Sequence, residues 1–131
     1  MHIIFGILVF LHGLVHIWYL TLSQGWVEYQ PAMGWNGSSW LLTDILSLGA
    51  VTRPAASILF SISAILFAAA GIGLICSQSW VRPWLIAASI VSTLTILIFW
   101  DGSFKQPVEK GAVGLLIDIV MLLAALLFNW I

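Results

Sequence analysis

Residues 54–100 read PAASILFSISAILFAAAGIGLICSQSWVRPWLIAASIVSTLTILIFW. Two apolar runs, about Pro54–Cys76 and Trp80–Trp100, are parted only by Ser77-Gln78-Ser79. The one charge in the stretch, Arg82, lies near the start of the second run. A helix needs about 20 apolar residues to cross the hydrocarbon layer of a bilayer. Each run meets that length, and the short polar break between them predicts a tight turn. Pro54 suits a first helical turn, where its missing N–H would be unbonded in any case.

Two more runs of the same kind flank this pair, at about Ile3–Leu22 and Gly111–Ile131. Four spans use most of the 131 residues and leave room for one domain, 1–131. Composition agrees: the chain is 62% hydrophobic and 7% charged, with a mean hydropathy of +1.12. Soluble domains are about a quarter charged, and a soluble fold of this composition would expose large apolar patches. The expected fold is therefore all-α, a four-helix transmembrane bundle. The N-terminal run MHIIFGILVFLHGLVHIWYLTL lacks a basic start and a small-x-small cleavage pattern, so it reads as a retained helix rather than a signal peptide.

A net charge of −1 and the absence of Lys/Arg runs give no electrostatic footprint for nucleic acid. The single cysteine, Cys76, excludes an intrachain disulfide and a Cys-rich metal site. The longest segment between spans, about 23–53, contains GWVEYQPAMGWNGSSWLLTDILSLGAVTR. Trp26, Trp35 and Trp40 fit an interfacial aromatic belt, matched by Trp80, Trp84 and Trp130 on the other face. Ser38 or Ser39 can cap a short interfacial helix running to about Leu48. Arg53, Lys105 and Lys110 share the long-loop face with Glu28, Asp44, Asp101 and Glu109, while Arg82 lies opposite. The Lys/Arg count nominally places the long loop in the cytoplasm, and an even number of spans puts both termini on one side. An ion pair from Arg53 to Asp44 or Asp101 would hold the loop over the mouth of the bundle.

Small residues line two of the spans: Ser57, Ser61, Ala64, Ala68 and Gly71, then Gly111, Gly114, Asp118, Ala125 and Asn129. Such stripes let helix backbones approach closely in lipid, so they mark faces turned inward.

Three ionisable residues fall within the spans: His12, His16 and Asp118. Burying one in lipid costs about 2.5–3.5 kcal/mol on insertion scales, so it is paired, hydrated or functional. His12 and His16, in HGLVH, share a helix face. Counted from the long-loop end at about 1.5 Å per residue, His16 and Asp118 lie at matching depth, roughly 9–10 Å in. Ser61 and Thr93 fall at the same level, with His12 one turn deeper. Asp118 is then expected to accept from His16, with Ser61 and Thr93 completing a hydrogen-bonded plug. The same residues could instead form a pocket open to the long-loop face.

As a metal site, His12, His16 and Asp118 supply three ligands, with water as a fourth. The HExxH signature is absent, since Gly13 stands where its Glu would be, and no general base is assigned by motif. As a haem site, two histidines on one side of a helix cannot sandwich an iron, and the third, His2, is on the same helix. A single-histidine haem or chlorophyll-type pigment, or a ligand shared across a dimer, stays open.

At HGLVH (12–16), MGWNGSSWLL (33–42) and FWDGSFKQPVEKGAVGLLID (99–118) the chain resembles a group of small, uncharacterised four-helix prokaryotic membrane proteins. The resemblance spans nearly the whole chain and implies the four-helix membrane fold without an activity. In helix number and size it is also similar to DoxX-like proteins, some of which are quinone-linked redox subunits. The expected function is a non-enzymatic membrane protein, either an accessory subunit of a larger complex (or of a homo-oligomer) or a binder of a hydrophobic ligand. The alternative is a redox or metal-binding protein using His12, His16 and Asp118, acting on a quinone or lipid. A small-solute transporter is disfavoured, because the spans show neither breaks nor repeat symmetry.

Overall fold

The computed structural model describes residues 1–23, 39–99 and 112–127. The expectations for Glu28, Trp26, Trp35, Asp101, Lys105, Glu109, Lys110, Gly111, Asn129 and Trp130 lie outside these residues, as does the side chain of Asp44. Among the described residues the chain is helical throughout its regular structure. The α-helices are α1 (His2–Ser23), α2 (Gly49–Ile75), α3 (Val81–Ile98) and α4 (Ala112–Leu127), and a π-helical segment spans Trp40–Ile45. Each helix packs on the next in chain order, and the π-helical segment rests on α2 and α3.

The expected start of the second span is corrected. α2 begins at Gly49, five residues before Pro54, which is the sixth residue of the helix. The bond that Pro54 cannot donate would have gone to the Ala50 carbonyl. Both residues are exposed, so the missing bond lies on the outer surface, where it orphans no buried group. Thr52, buried on the other side of that turn, donates its hydroxyl to the Leu48 carbonyl and links to the Thr43 hydroxyl at 3.1 Å.

Ser39 caps the short segment, as expected from its position, and its side chain accepts from the Leu42 N–H. The segment itself is π-helical rather than α-helical and stops at Ile45, short of Leu48. Its second task explains where it sits. The last carbonyls of a helix have no partners within it. The Ser39 hydroxyl donates to the Ile98 carbonyl, and the Trp40 indole N–H donates to Leu97 O at 2.5 Å. Two of the orphan acceptors of α3 are thereby satisfied by the segment that follows the long loop. At the other end, Arg82 in the first turn of α3 donates to Leu126 O, in the last turn of α4, at 3.0 Å. A cation there also meets the negative end of the α4 dipole.

The Ser77-Gln78-Ser79 turn forms as expected. Ser77 takes a left-handed conformation with φ 53°. Its N–H bonds Leu74 O and the Gln78 N–H bonds Gly73 O, which is the paired closure of a Schellman motif. Gly73 lies under the turn against Val81 and Trp80, with no room for a Cβ.

Contact between α1 and α2 depends on glycine. A Cβ on Gly6 would stand 2.8 Å from Gly71 O, and one on Gly71 would stand 2.7 Å from Gly6 O. One heptad along α1, Gly13 meets Phe67 and the Ala64 backbone in the same way. Of the expected stripe on α2, Ala64 and Gly71 are buried, while Ser57, Ser61 and Ala68 are half-buried. A neighbouring stripe containing Phe60, Ser63, Phe67, Ala70 and Leu74 turns further inward.

Several polar side chains are buried while large aliphatic ones are exposed. His16, Ser63, Ser89, Ser92 and Asp118 are fully buried. The outer faces carry Ile4, Ile58, Ile65, Leu94, Leu116 and Leu127, each more than half exposed. By length and composition α2 and α3 are each able to cross a membrane, with mean hydropathies of 2.5 and 1.7 over their most apolar windows.

Gly71→Val should force α1 and α2 apart and cost about 1–3 kcal/mol, the usual range for an overpacked contact. Gly49→Ala, where the nearest atom would be 3.9 Å away, should leave the melting temperature of the purified protein within error of the wild type.

Candidate functional site

Two apolar clusters occupy the interior. One gathers Val9, Phe67, Leu74, Leu85 and Met121; the other is centred on Ala56, Phe60 and Phe99. Along α2 and α3 the two clusters are separated by the levels of Ser63 and Ser92. The polar residues of the site lie at this level.

His12 and His16 are one turn apart on α1, with ring centroids 5.1 Å apart and planes nearly perpendicular. Both rest on Phe67 of α2: His12 meets its ring edge-on at 4.8 Å, and His16 lies tilted against it at 5.3 Å. The close glycine contact of Gly13 with Phe67 brings α1 near enough for this.

From there a continuous hydrogen-bonded chain crosses three helices. His12 Nε2 lies 2.7 Å from Asp118 Oδ1 on α4. The Ser92 hydroxyl on α3 lies 2.5 Å from Asp118 Oδ2 and 2.5 Å from His16 Nε2. His16 Nδ1 closes on the backbone carbonyl of His12 at 3.1 Å. His12 is 5% exposed, and the other three residues are wholly buried. Among the described residues no Lys, Arg, Glu or further Asp joins the chain.

The donor roles follow from the groups. A carbonyl oxygen only accepts, so His16 Nδ1–H donates to His12 O. In a neutral imidazole this leaves the lone pair on Nε2, facing Ser92. Ser92 has one proton and two neighbours, His16 Nε2 and Asp118 Oδ2. With both histidines neutral and Asp118 ionised, one of these two contacts holds no proton.

Three sequence expectations change. Asp118 accepts directly from His12, and reaches His16 only through Ser92. A spacing of four residues leaves two side chains about 40° apart around a helix, enough for one to meet α4 and the other α3, and depth alone does not reveal that difference. Thr93 is not in the chain: its neighbour Ser92 is, about 100° away around α3. Thr93 Oγ1 has no hydrogen-bond partner among the described residues. Ser61 is half-buried and no hydrogen bond joins it to the cluster. Ser92 was legible in principle, because Leu85, Ala88, Ser89, Ser92 and Ile96 recur at helical spacing as the buried face of α3. His12 turns Nε2 to the Asp118 carboxylate and His16 turns Nε2 to the Ser92 hydroxyl bonded to it, so they do not present opposed axial positions to a haem.

An apolar cleft of about 490 Å³ opens between α1 and α4. Leu8, Leu11 and Val15 line one wall, Leu116, Val120 and Met121 the other, and His12 is the polar residue in its lining. This cleft opens between two helices; most of the long loop, toward which the alternative pocket was expected to open, lies outside the described residues.

Comparison with known protein families, with characterised proteins and with solved structures finds no match to this chain.

Ser92→Ala should cost about 1–3 kcal/mol of stability by leaving buried polar groups unpartnered. Thr93→Ala and Ser61→Ala should fall within about 0.5 kcal/mol of the wild type, as substitutions outside such features do. Denaturant unfolding of the three variants checks the assignment, and a Thr93 variant as damaged as the Ser92 one would refute it.

Proposed function

We propose that this chain is an integral membrane protein, a four-helix transmembrane bundle, that binds a hydrophobic ligand in the cleft between α1 and α4. The cleft carries the reading. Its volume falls within the roughly 300–1,000 Å³ typical of small-molecule sites, as does its apolar lining with a single polar group. Its opening is sideways, the direction from which a molecule dissolved in lipid arrives. The distribution of polarity supports the bilayer setting. Aliphatic outer faces are at home in hydrocarbon, and His12, His16, Ser92 and Asp118 are gathered inside, bonded to one another and away from lipid.

The chemistry of His12 narrows the ligand. Its Nε2–H is held by Asp118 Oδ1. The neutral ring then carries its lone pair on Nδ1, for which no partner is found among the described residues. That nitrogen accepts hydrogen bonds, so the complementary polar group is a hydroxyl. The ligand class is an apolar molecule bearing a hydroxyl, such as a hydroquinone with an alkyl tail. This favours ligand binding over the accessory-subunit and redox readings, neither of which draws on so direct a feature.

Binding of an alkyl hydroquinone to the detergent-solubilised protein tests the proposal. It should bind more tightly than its dimethyl ether, which has lost both donors, and Val120→Trp should abolish binding by filling the cleft. Equal binding of the ether would reduce the cleft to ordinary lipid packing. Copurification of a membrane partner that is lost in Val120→Trp would favour the accessory-subunit reading instead.

Topology has its own reporter. Cys76, the single cysteine, is exposed in the turn between α2 and α3. On the proposed orientation this turn faces outward, so a membrane-impermeant maleimide should label Cys76 in intact cells. Labelling only after lysis would invert the orientation.

A further inference from the structure

The cluster at the centre of the helices has a property that ligand binding in the cleft does not use. One ring nitrogen of His12, one of His16 and a carboxylate oxygen of Asp118 all lie within 4.8 Å of one another, and all three residues are buried. From these groups we infer a site for a single Zn²⁺-class ion, held by His12 Nε2, His16 Nε2 and Asp118, with one water as the fourth ligand.

Three observations carry this. The first is the orientation of His16. Metal-binding histidines characteristically donate their second ring N–H to a carbonyl or carboxylate, which fixes the tautomer and aims the lone pair at the ion. His16 Nδ1–H makes that bond to the His12 carbonyl, and its Nε2 faces the cluster. The second is the proton count at Ser92. Its hydroxyl has one proton for two contacts, with His16 Nε2 and Asp118 Oδ2, and a cation on the His16 lone pair leaves that proton to Asp118. The third is the donor set. Two imidazole nitrogens and one carboxylate oxygen suit Zn²⁺ and its neighbours, whereas Ca²⁺ and Mg²⁺ take oxygen ligands almost exclusively. Three protein ligands leave a fourth position open to water. Ser89 Oγ is buried and has no hydrogen-bond partner among the described residues, and it lies one turn from Ser92 on the same face of α3, which provides a further polar group next to the cluster.

Binding has a defined proton balance. The His12 proton moves from Nε2 to Nδ1, freeing the lone pair for the ion. No proton is then needed between His16 and Ser92, because the ion occupies the Nε2 lone pair and the Ser92 proton stays with Asp118. Tetrahedral bonds of about 2.0–2.1 Å set ligand atoms about 3.3 Å apart. His12 Nε2 and Asp118 Oδ1, now 2.7 Å apart, must open slightly to reach that spacing, and the widest ligand pair, within 4.8 Å, must close by no more than about 1.5 Å, changes within reach of side-chain rotation.

The experiment uses the full chain, purified in detergent, stripped with a chelator and titrated with Zn²⁺ by calorimetry. Co²⁺ in place of Zn²⁺ reports coordination by its visible spectrum. One Zn²⁺ per chain, a raised melting temperature and a tetrahedral Co²⁺ spectrum are expected. Asp118→Asn and His16→Gln should each weaken binding by more than about tenfold, the lower end of what losing even an outer partner of a metal site costs. Ser92→Ala keeps all three ligands and should still bind, and His2→Ala and Cys76→Ser should match the wild type. If the wild-type chain takes up no Zn²⁺, the proposal fails without recourse to any variant. Stoichiometric binding that survives Asp118→Asn and His16→Gln in folded, monodisperse protein would place the ion elsewhere and overturn it equally. The two measurements stay distinguishable: hydroquinone binding is read on the chelator-stripped chain, where His12 Nδ1 still accepts, and Zn²⁺ binding is read without hydroquinone.

Discussion

The Asp118 carboxylate is wholly buried, and much of the structure can be read as what that burial requires. An isolated carboxylate taken out of water is too costly to persist, so it must be paired and hydrogen-bonded. Asp118 meets the requirement with partners from two other helices, His12 on α1 and Ser92 on α3. Three helices thus meet at one side chain. Removing one partner of such a buried pair typically costs about 3–5 kcal/mol, because the other is left uncompensated. The carboxylate therefore fixes the relative register of α1, α3 and α4 in a way that interchangeable aliphatic contacts do not.

α2 contributes no hydrogen bond to this chain, yet it positions the histidines. The glycine contacts at Gly6, Gly13 and Gly71 bring α1 onto α2, and Phe67 then lies beneath both imidazoles. Their rings have an aromatic face on one side and the polar chain on the other. At the ends, side chains from neighbouring segments meet the carbonyls that helices leave open: Ser39 and Trp40 for α3, Arg82 for α4.

The cleft and the cluster share one residue. His12 lies in the cleft lining and also bonds Asp118. A change at its ring would be felt in both places, because the proton held at Nε2 decides whether Nδ1 accepts or donates. On the proposed functions, occupancy of the cluster and the polarity offered to a cleft ligand are linked through that tautomer.

The sequence alone determined the number and approximate extent of the helical segments, because spans of apolar residues, a capping serine and a Ser-Gln-Ser break are local signals. It also singled out His12, His16 and Asp118, since ionisable residues among so many aliphatic ones are conspicuous wherever they point. Only the tertiary structure decided which histidine meets the carboxylate, why Ser92 and not Thr93 joins them, and where the cleft opens. Those outcomes depend on the rotation of each helix about its own axis. Rotation is set by contacts between helices, such as Gly6 against Gly71, that no single segment contains. The start of α2 ahead of Pro54 belongs to the same class: the proline is a local signal for a first turn, but an exposed outer face, which only the packing defines, tolerates its missing bond a turn later.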